Sequence, residues 1–146
     1  MKVKAIFKAK ISWWLFGPIY LLLAYPIYKG IQEEKWLIAI IMAATIALML
    51  NLTLLTRYIV TLKDELFIQV GWFGGSKILI SDIVSIEKTR IALASPAPSL
   101  DRIQINYGKY SSVIISPSDK LAFIKFLREI NPNISLKSPL DEQIKK

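Results

Sequence analysis

Residues 11–56 read ISWWLFGPIYLLLAYPIY (Ile11–Tyr28), KGIQEEK (Lys29–Lys35) and WLIAIIMAATIALMLNLTLLT (Trp36–Thr56). The first run has 18 residues, the last has 21, and neither contains a charged side chain. A hydrocarbon core about 30 Å thick takes roughly 20 apolar residues at about 1.5 Å rise each. The two runs, joined by a short charged connector, therefore predict a transmembrane helical hairpin over residues 1–56. Everything after Thr56 is left to stand outside the lipid.

The flanks support that reading. Trp13 and Trp14 mark one end of the first run; Tyr25, Tyr28 and Trp36 surround the connector. Amphipathic rings favour the headgroup level. Lys2, Lys4, Lys8 and Lys10 precede the first run, Arg57 and Lys63 follow the second, and the connector holds only Lys29 and Lys35. The positive-inside rule then puts both termini in the cytoplasm. Pro18 and Pro26 kink or shorten the first helix, since each removes a backbone donor. Asn51, the one strongly polar side chain in the spans, is expected to bond a neighbouring helix or interfacial water. A cleaved signal peptide is disfavoured, because no small-x-small cleavage site precedes Gln32-Glu33-Glu34-Lys35 and a second span follows at once.

Composition narrows the chemistry. Of 146 residues, 53% are hydrophobic, which fits a membrane-anchored chain. There is no cysteine and no histidine. Disulfides, thiolate metal sites and cysteine nucleophiles are therefore excluded, along with the commonest general base. The acidic residues show no metal-ligand spacing, and Gly71–Gly75 opens no nucleotide-binding helix. No catalytic residue, cofactor or metal is expected. The net charge of +8 favours an anionic surface. Lysines massed before the first span are read as a topology signal, and basic and acidic residues are mixed in order after Arg57, so no nucleic-acid partner is expected.

From Arg57 the period changes from helical to alternating. Tyr58–Leu62 and Leu66–Val70 read as two strands around a Lys63-Asp64-Glu65 turn. Gly71-Trp72-Phe73-Gly74-Gly75 is a glycine turn, followed by short strands at Lys77–Ile80 and Ile83–Lys88. Arg102–Tyr107 and Tyr110–Ile115 form a further pair around Gly108-Lys109. Ser116-Pro117-Ser118-Asp119 is a helix start, with Ser116 as cap and Pro117 in the first turn. That helix runs to Ile130, before Pro132. It buries Leu121, Phe123, Ile124, Phe126, Leu127 and Ile130, and leaves Lys120, Lys125, Arg128 and Glu129 wet. The fold class is α+β: six or seven short strands in a bent antiparallel sheet, closed by one carboxy-terminal helix.

Three of these parts together carry a resemblance: the opening hairpin Tyr58–Val70, the serine-led strand Ser99-Leu100-Asp101-Arg102-Ile103-Gln104-Ile105, and Ile115-Ser116-Pro117 leading into a helix with Phe123, Ile124 and Leu127. Residues 57–135 resemble the bacterial pleckstrin-homology-like domains of small membrane-anchored proteins, leaving 136–146 as a polar tail. The resemblance implies an antiparallel barrel or sandwich with a capping helix, in a membrane setting. Phosphoinositide-binding relatives use a basic first hairpin loop. Lys63-Asp64-Glu65 carries two acids against one lysine, so no specific phosphoinositide is expected.

Two surfaces are candidate contacts. Strands of similar length return Trp72 and Phe73, with Lys77 nearby, toward the bilayer; the alternative is that both rings pack in the core. Ser95-Pro96-Ala97-Pro98-Ser99 is expected to be the most accessible loop for a protein partner. Asp101 and Arg102, adjacent on a strand, point to opposite faces and make structural contacts. The resulting expectation is a non-enzymatic, membrane-tethered interaction module on the bacterial inner membrane, multi-pass, with the bilayer and a protein as partners. A second reading is a stress or self-immunity protein against a membrane-active peptide.

Overall fold

The computed structural model describes residues 2–89 and 97–137. Strand β1 (Val3–Lys8) precedes two helices, α1 (Trp13–Gln32) and α2 (Trp36–Leu54). Strands β2 (Arg57–Thr61), β3 (Glu65–Gln69) and β4 (Gly75–Leu79) follow, and a 3-10 turn at Ile80–Asp82 leads to β5 (Ile83–Thr89). Then come β6 (Arg102–Tyr107), β7 (Ser111–Ile115), α3 (Lys120–Ile130) and the short β8 (Ser135–Leu136).

The two helices pack side by side. Near the connector a Cβ on Gly30 would lie 3.2 Å from the Ala39 Cβ, so the backbones approach closely there. Toward the other end, the Tyr20 and Thr53 hydroxyls are 3.2 Å apart. Small residues at such a crossing let the two helix backbones approach closely. Among the described residues one helix, Trp36–Leu54, is long and apolar enough to cross a membrane. The first helix has the length but not the composition. Gly17, Pro18, Pro26, Lys29 and its tryptophans and tyrosines dilute the apolar run.

Two four-stranded sheets form the body, in the orders β1-β2-β3-β4 and β7-β6-β5-β8. All pairings are antiparallel except β5 with β8. Alternation places Tyr58, Val60, Leu66, Ile68 and Ile78 inward from the first sheet, and Ile86, Ile103, Ile105 and Ile115 from the second. Helix α3 closes the gap with Phe123, Ile124 and Leu127, all fully buried. The sequence places most of these strands within a residue or two.

The amino-terminal arm departs from expectation. Its lysines read as a topology signal, yet Val3–Lys8 is a strand of the first sheet, with Ile6 opposite Ile59 and Phe7 opposite Tyr58. Phe7 meets the Phe123 ring edge-on at 5.1 Å and the Phe126 ring at 5.7 Å. The reason is legible in hindsight: Val3, Ala5 and Phe7 alternate with Lys4 and Lys8. The sheet therefore contains one strand from before the helices and one from after them. Both outer ends of the helical pair emerge at the same side of the domain.

Helix α3 also starts later than expected. Its cap is Asp119, whose side chain accepts the Ala122 N–H at 3.0 Å. Ser116 is fully buried and serves other partners. Its carbonyl accepts the Lys10 N–H at 2.7 Å, and its own N–H donates to the Tyr58 hydroxyl at 3.0 Å. Pro117 forms a bridge with Ala9, and the Ser118 N–H reaches the Lys8 carbonyl at 3.0 Å. The arm thus occupies the segment that the capping pattern assigns to the helix. Two side-chain expectations change with it. Leu121 is exposed, and Lys120, expected to be wet, is largely covered.

Candidate functional site

The junction between the helices and the domain gathers most of the residues that the sequence singles out. At the end of α2, Asn51 turns its side-chain carbonyl onto the β3–β4 turn and accepts the Trp72 N–H at 3.1 Å. Gly71 sits against it with φ +57, and a Cβ there would come within 2.3 Å of the Asn51 Oδ1. Only glycine meets both demands, a left-handed backbone and close approach. The Val70 N–H bonds the Gly74 carbonyl at 2.8 Å, and the Gln69 amide donates to the Gly71 carbonyl at 3.2 Å. The turn is therefore fixed at both the sheet and the helix.

Trp72 and Phe73 project from this fixed turn and are 82% and 75% exposed. Neither ring packs in the domain core. Lys77 is not beside them. It lies mid-strand opposite Phe67, on the outer face of the sheet. It borders a hollow shared with Lys2, Thr61, Leu62, Lys63 and Glu65, on the side away from the helices. The β2–β3 turn is at that far end too, where Asp64, with φ 55, pairs with Lys4 at 3.3 Å.

The described end of the segment before β6 meets the start of α1. Of the proposed partner loop, Ser95 and Pro96 lie outside the described residues. Ala97 and Ser99 are buried and Pro98 is half-buried, so the described part is not an accessible loop. The Pro98 carbonyl accepts the Ser12 N–H at 3.1 Å, just ahead of α1, and the Ser12 and Ser99 hydroxyls are 3.0 Å apart. Arg102 holds the loop from within, donating from Nε to the Ser99 carbonyl at 2.5 Å and from Nη2 to the Ala97 carbonyl at 3.1 Å.

Asp101, in the bend just before β6, points away from that loop. It bridges Lys10 at 3.0 Å and Lys120. Partial burial alone would raise its pKa, but the hydrogen bonds from Lys120 and Lys10 outweigh that, and the carboxyl titrates below its ordinary value. This bridge ties the arm, the β6 loop and α3 together at the base of α1. Its geometry is structural. On the second sheet, Glu87 accepts from Asn106 at 3.1 Å and pairs with Lys137 at 3.2 Å, and those hydrogen bonds lower its pKa. Among the described residues no group of three acidic side chains is placed to hold a metal ion.

Sequence reasoning missed two residues at the junction. Lys8 and Arg57 are Cα partners across β1 and β2, in the sheet row nearest the helices. Both are exposed. Read as topology signals, they gave no hint of being neighbours, because only the pairing of the arm brings them together.

A family model described as "Bacterial PH domain" matches residues 56–131, just over half of the chain. That span contains β2 through β7 and all of α3, the body of both sheets and the closing helix. No curated protein and no solved structure matches the chain. With its sheets, its capping helix and this match in agreement, the chain belongs to the bacterial PH domain family.

Proposed function

We propose that this chain is a non-enzymatic, membrane-tethered interaction module that holds its PH domain against the cytoplasmic face of the bacterial inner membrane. One observation carries the reading: β1, before the first helix, is paired with β2, after the second. A hairpin that crosses the bilayer twice must leave both outer ends on one side, and a sheet joining those ends satisfies that requirement without strain. The apolar second helix supplies one span, and its partner has the 20 residues needed for the other. Lysines at the outer ends assign that side to the cytoplasm. Trp72 and Phe73, held at the helix end by Asn51, suit the headgroup layer.

The same geometry favours a protein as the domain's partner. The β2–β3 turn, with its two acids, faces away from the helices, and no phosphoinositide preference is expected from it. The outward face of the first sheet offers Ile6, Phe67 and Leu79 among polar neighbours, and β4 is an edge strand among the described residues, open to strand addition.

Membrane fractionation tests the tether. The protein should stay with membranes through an alkaline carbonate wash and leave only with detergent. Release by carbonate alone would contradict the proposal.

A further inference from the structure

The row of the first sheet nearest the helices holds two cations that no carboxylate among the described residues pairs with. Lys8 and Arg57 are directly opposite each other, and neither forms an ion pair among the described residues. Like charges in that relation repel. The nearby carboxylates are committed elsewhere. Asp101 bridges Lys10 and Lys120, and Asp119 caps α3 through the Ala122 N–H. The acids of β3 and its turn, Asp64 and Glu65, lie at the far end of the sheet.

The rest of the row leaves the cations open. Gln69 is opposite Arg57 and turns its amide to the Gly71 carbonyl, while Gly75 beyond it carries no side chain. Trp72 and Phe73 project from the turn at the same end of the sheet. Height agrees with this placement. Arg57 is three residues past Leu54, hence within roughly 10 Å of the helix end along the chain. Headgroups add roughly 5–8 Å to each side of the hydrocarbon.

We propose that Lys8 and Arg57 form a binding site for the phosphate of an anionic phospholipid, with Trp72 and Phe73 inserted in the same layer. The proposal rests on the membrane-tethered reading above. A guanidinium grips phosphate oxygens through a planar fork, and an ammonium adds a compact point charge beside it. A phosphate between the two relieves the repulsion that the bare sheet bears. Specificity is for negative charge rather than for any sugar headgroup, because Gln69, the polar neighbour of Arg57 on the next strand, already donates to the Gly71 carbonyl.

The test uses the full chain in nanodiscs with Trp72 as the sole tryptophan, after Trp13→Phe, Trp14→Phe and Trp36→Phe; all three are exposed. Acyl-brominated phosphatidylglycerol or phosphatidylcholine is added at the same minor fraction in an otherwise unbrominated bilayer. Trp72 quenching should be stronger with brominated phosphatidylglycerol, reflecting roughly 30-fold local enrichment, about fivefold for each of the two exposed cations at an anionic surface. Salt should erode the excess. In the Lys8→Gln/Arg57→Gln variant the two lipids should quench equally, while the thermal midpoint stays unchanged or rises as the repulsion is removed. Equal quenching in the parent protein, or an excess that survives in the double variant, overturns this site alone. No quenching by either lipid overturns the insertion of Trp72 and the site with it, while the tethered reading stands or falls separately by the carbonate wash.

Discussion

Asp101 shows how one side chain ties three segments that are distant in sequence. It receives Lys10 from the arm and Lys120 from α3, and these hydrogen bonds depress its pKa against the opposing effect of burial. The sign of the linkage follows. A carboxyl whose folded pKa lies below its unfolded value of 3.8 stabilises the fold above that value, and the contribution is lost as pH falls through the folded pKa. Asp101→Asn should therefore lower stability at neutral pH and flatten the decline in stability in acid, seen by thermal melting of the detergent-solubilised protein across pH 2–7. An acid limb as steep as that of the parent would show that the bridge contributes nothing. Asp101 and Arg102 serve different partners, as the sequence suggests, although Asp101 lies in the bend before β6 and not on the strand itself. Their partners were not legible, because Lys10 is 91 residues away and pairing across such a distance leaves no local pattern.

At the scale of elements, α3 is the best case of local sequence giving local structure, and its start is where that logic meets a tertiary competitor. Ser116 and Pro117 make a good helix opening, but the arm takes their backbone groups, and the cap passes to Asp119. The apolar face survives this shift, apart from Leu121. Leu127→Ala should cost about 2–5 kcal/mol, since the side chain is fully buried. Leu121→Ala, at an exposed position on the same helix, should cost less than about 0.5 kcal/mol. Denaturant unfolding checks both, and similar costs would mean that α3 packs by another face. Strands β2 to β7 were legible because alternation and glycine turns are strong over five or six residues. Strand β1 also alternates, but four lysines beside an apolar run suggested a different role.

For the whole molecule, the arrangement depends on a closure that crosses the helical pair. Strand β1 bonds β2, the Pro98 loop bonds Ser12, and Asn51 bonds the Trp72 turn. The domain is thus fixed to both helix ends rather than hung from one linker. The exposed position of Trp72 and Phe73 follows from this closure, and the sequence could foresee only that the turn returns toward the helices. The partner loop fails as an exposed surface for the same reason: its described residues are used to hold α1. The proposed function requires that the hairpin span the membrane with the arm and the domain together on the cytoplasmic side. The absence of native cysteine makes one measurement direct. Single cysteines are introduced at Lys2 in the arm, Glu34 in the connector and Asn133 after α3, all exposed, and treated in intact cells with an impermeant maleimide. Glu34→Cys should be labelled from outside, with Lys2→Cys and Asn133→Cys labelled only after the cells are opened. Labelling of Lys2→Cys and Asn133→Cys on opposite sides of the membrane, or of Glu34→Cys only in opened cells, would contradict that topology.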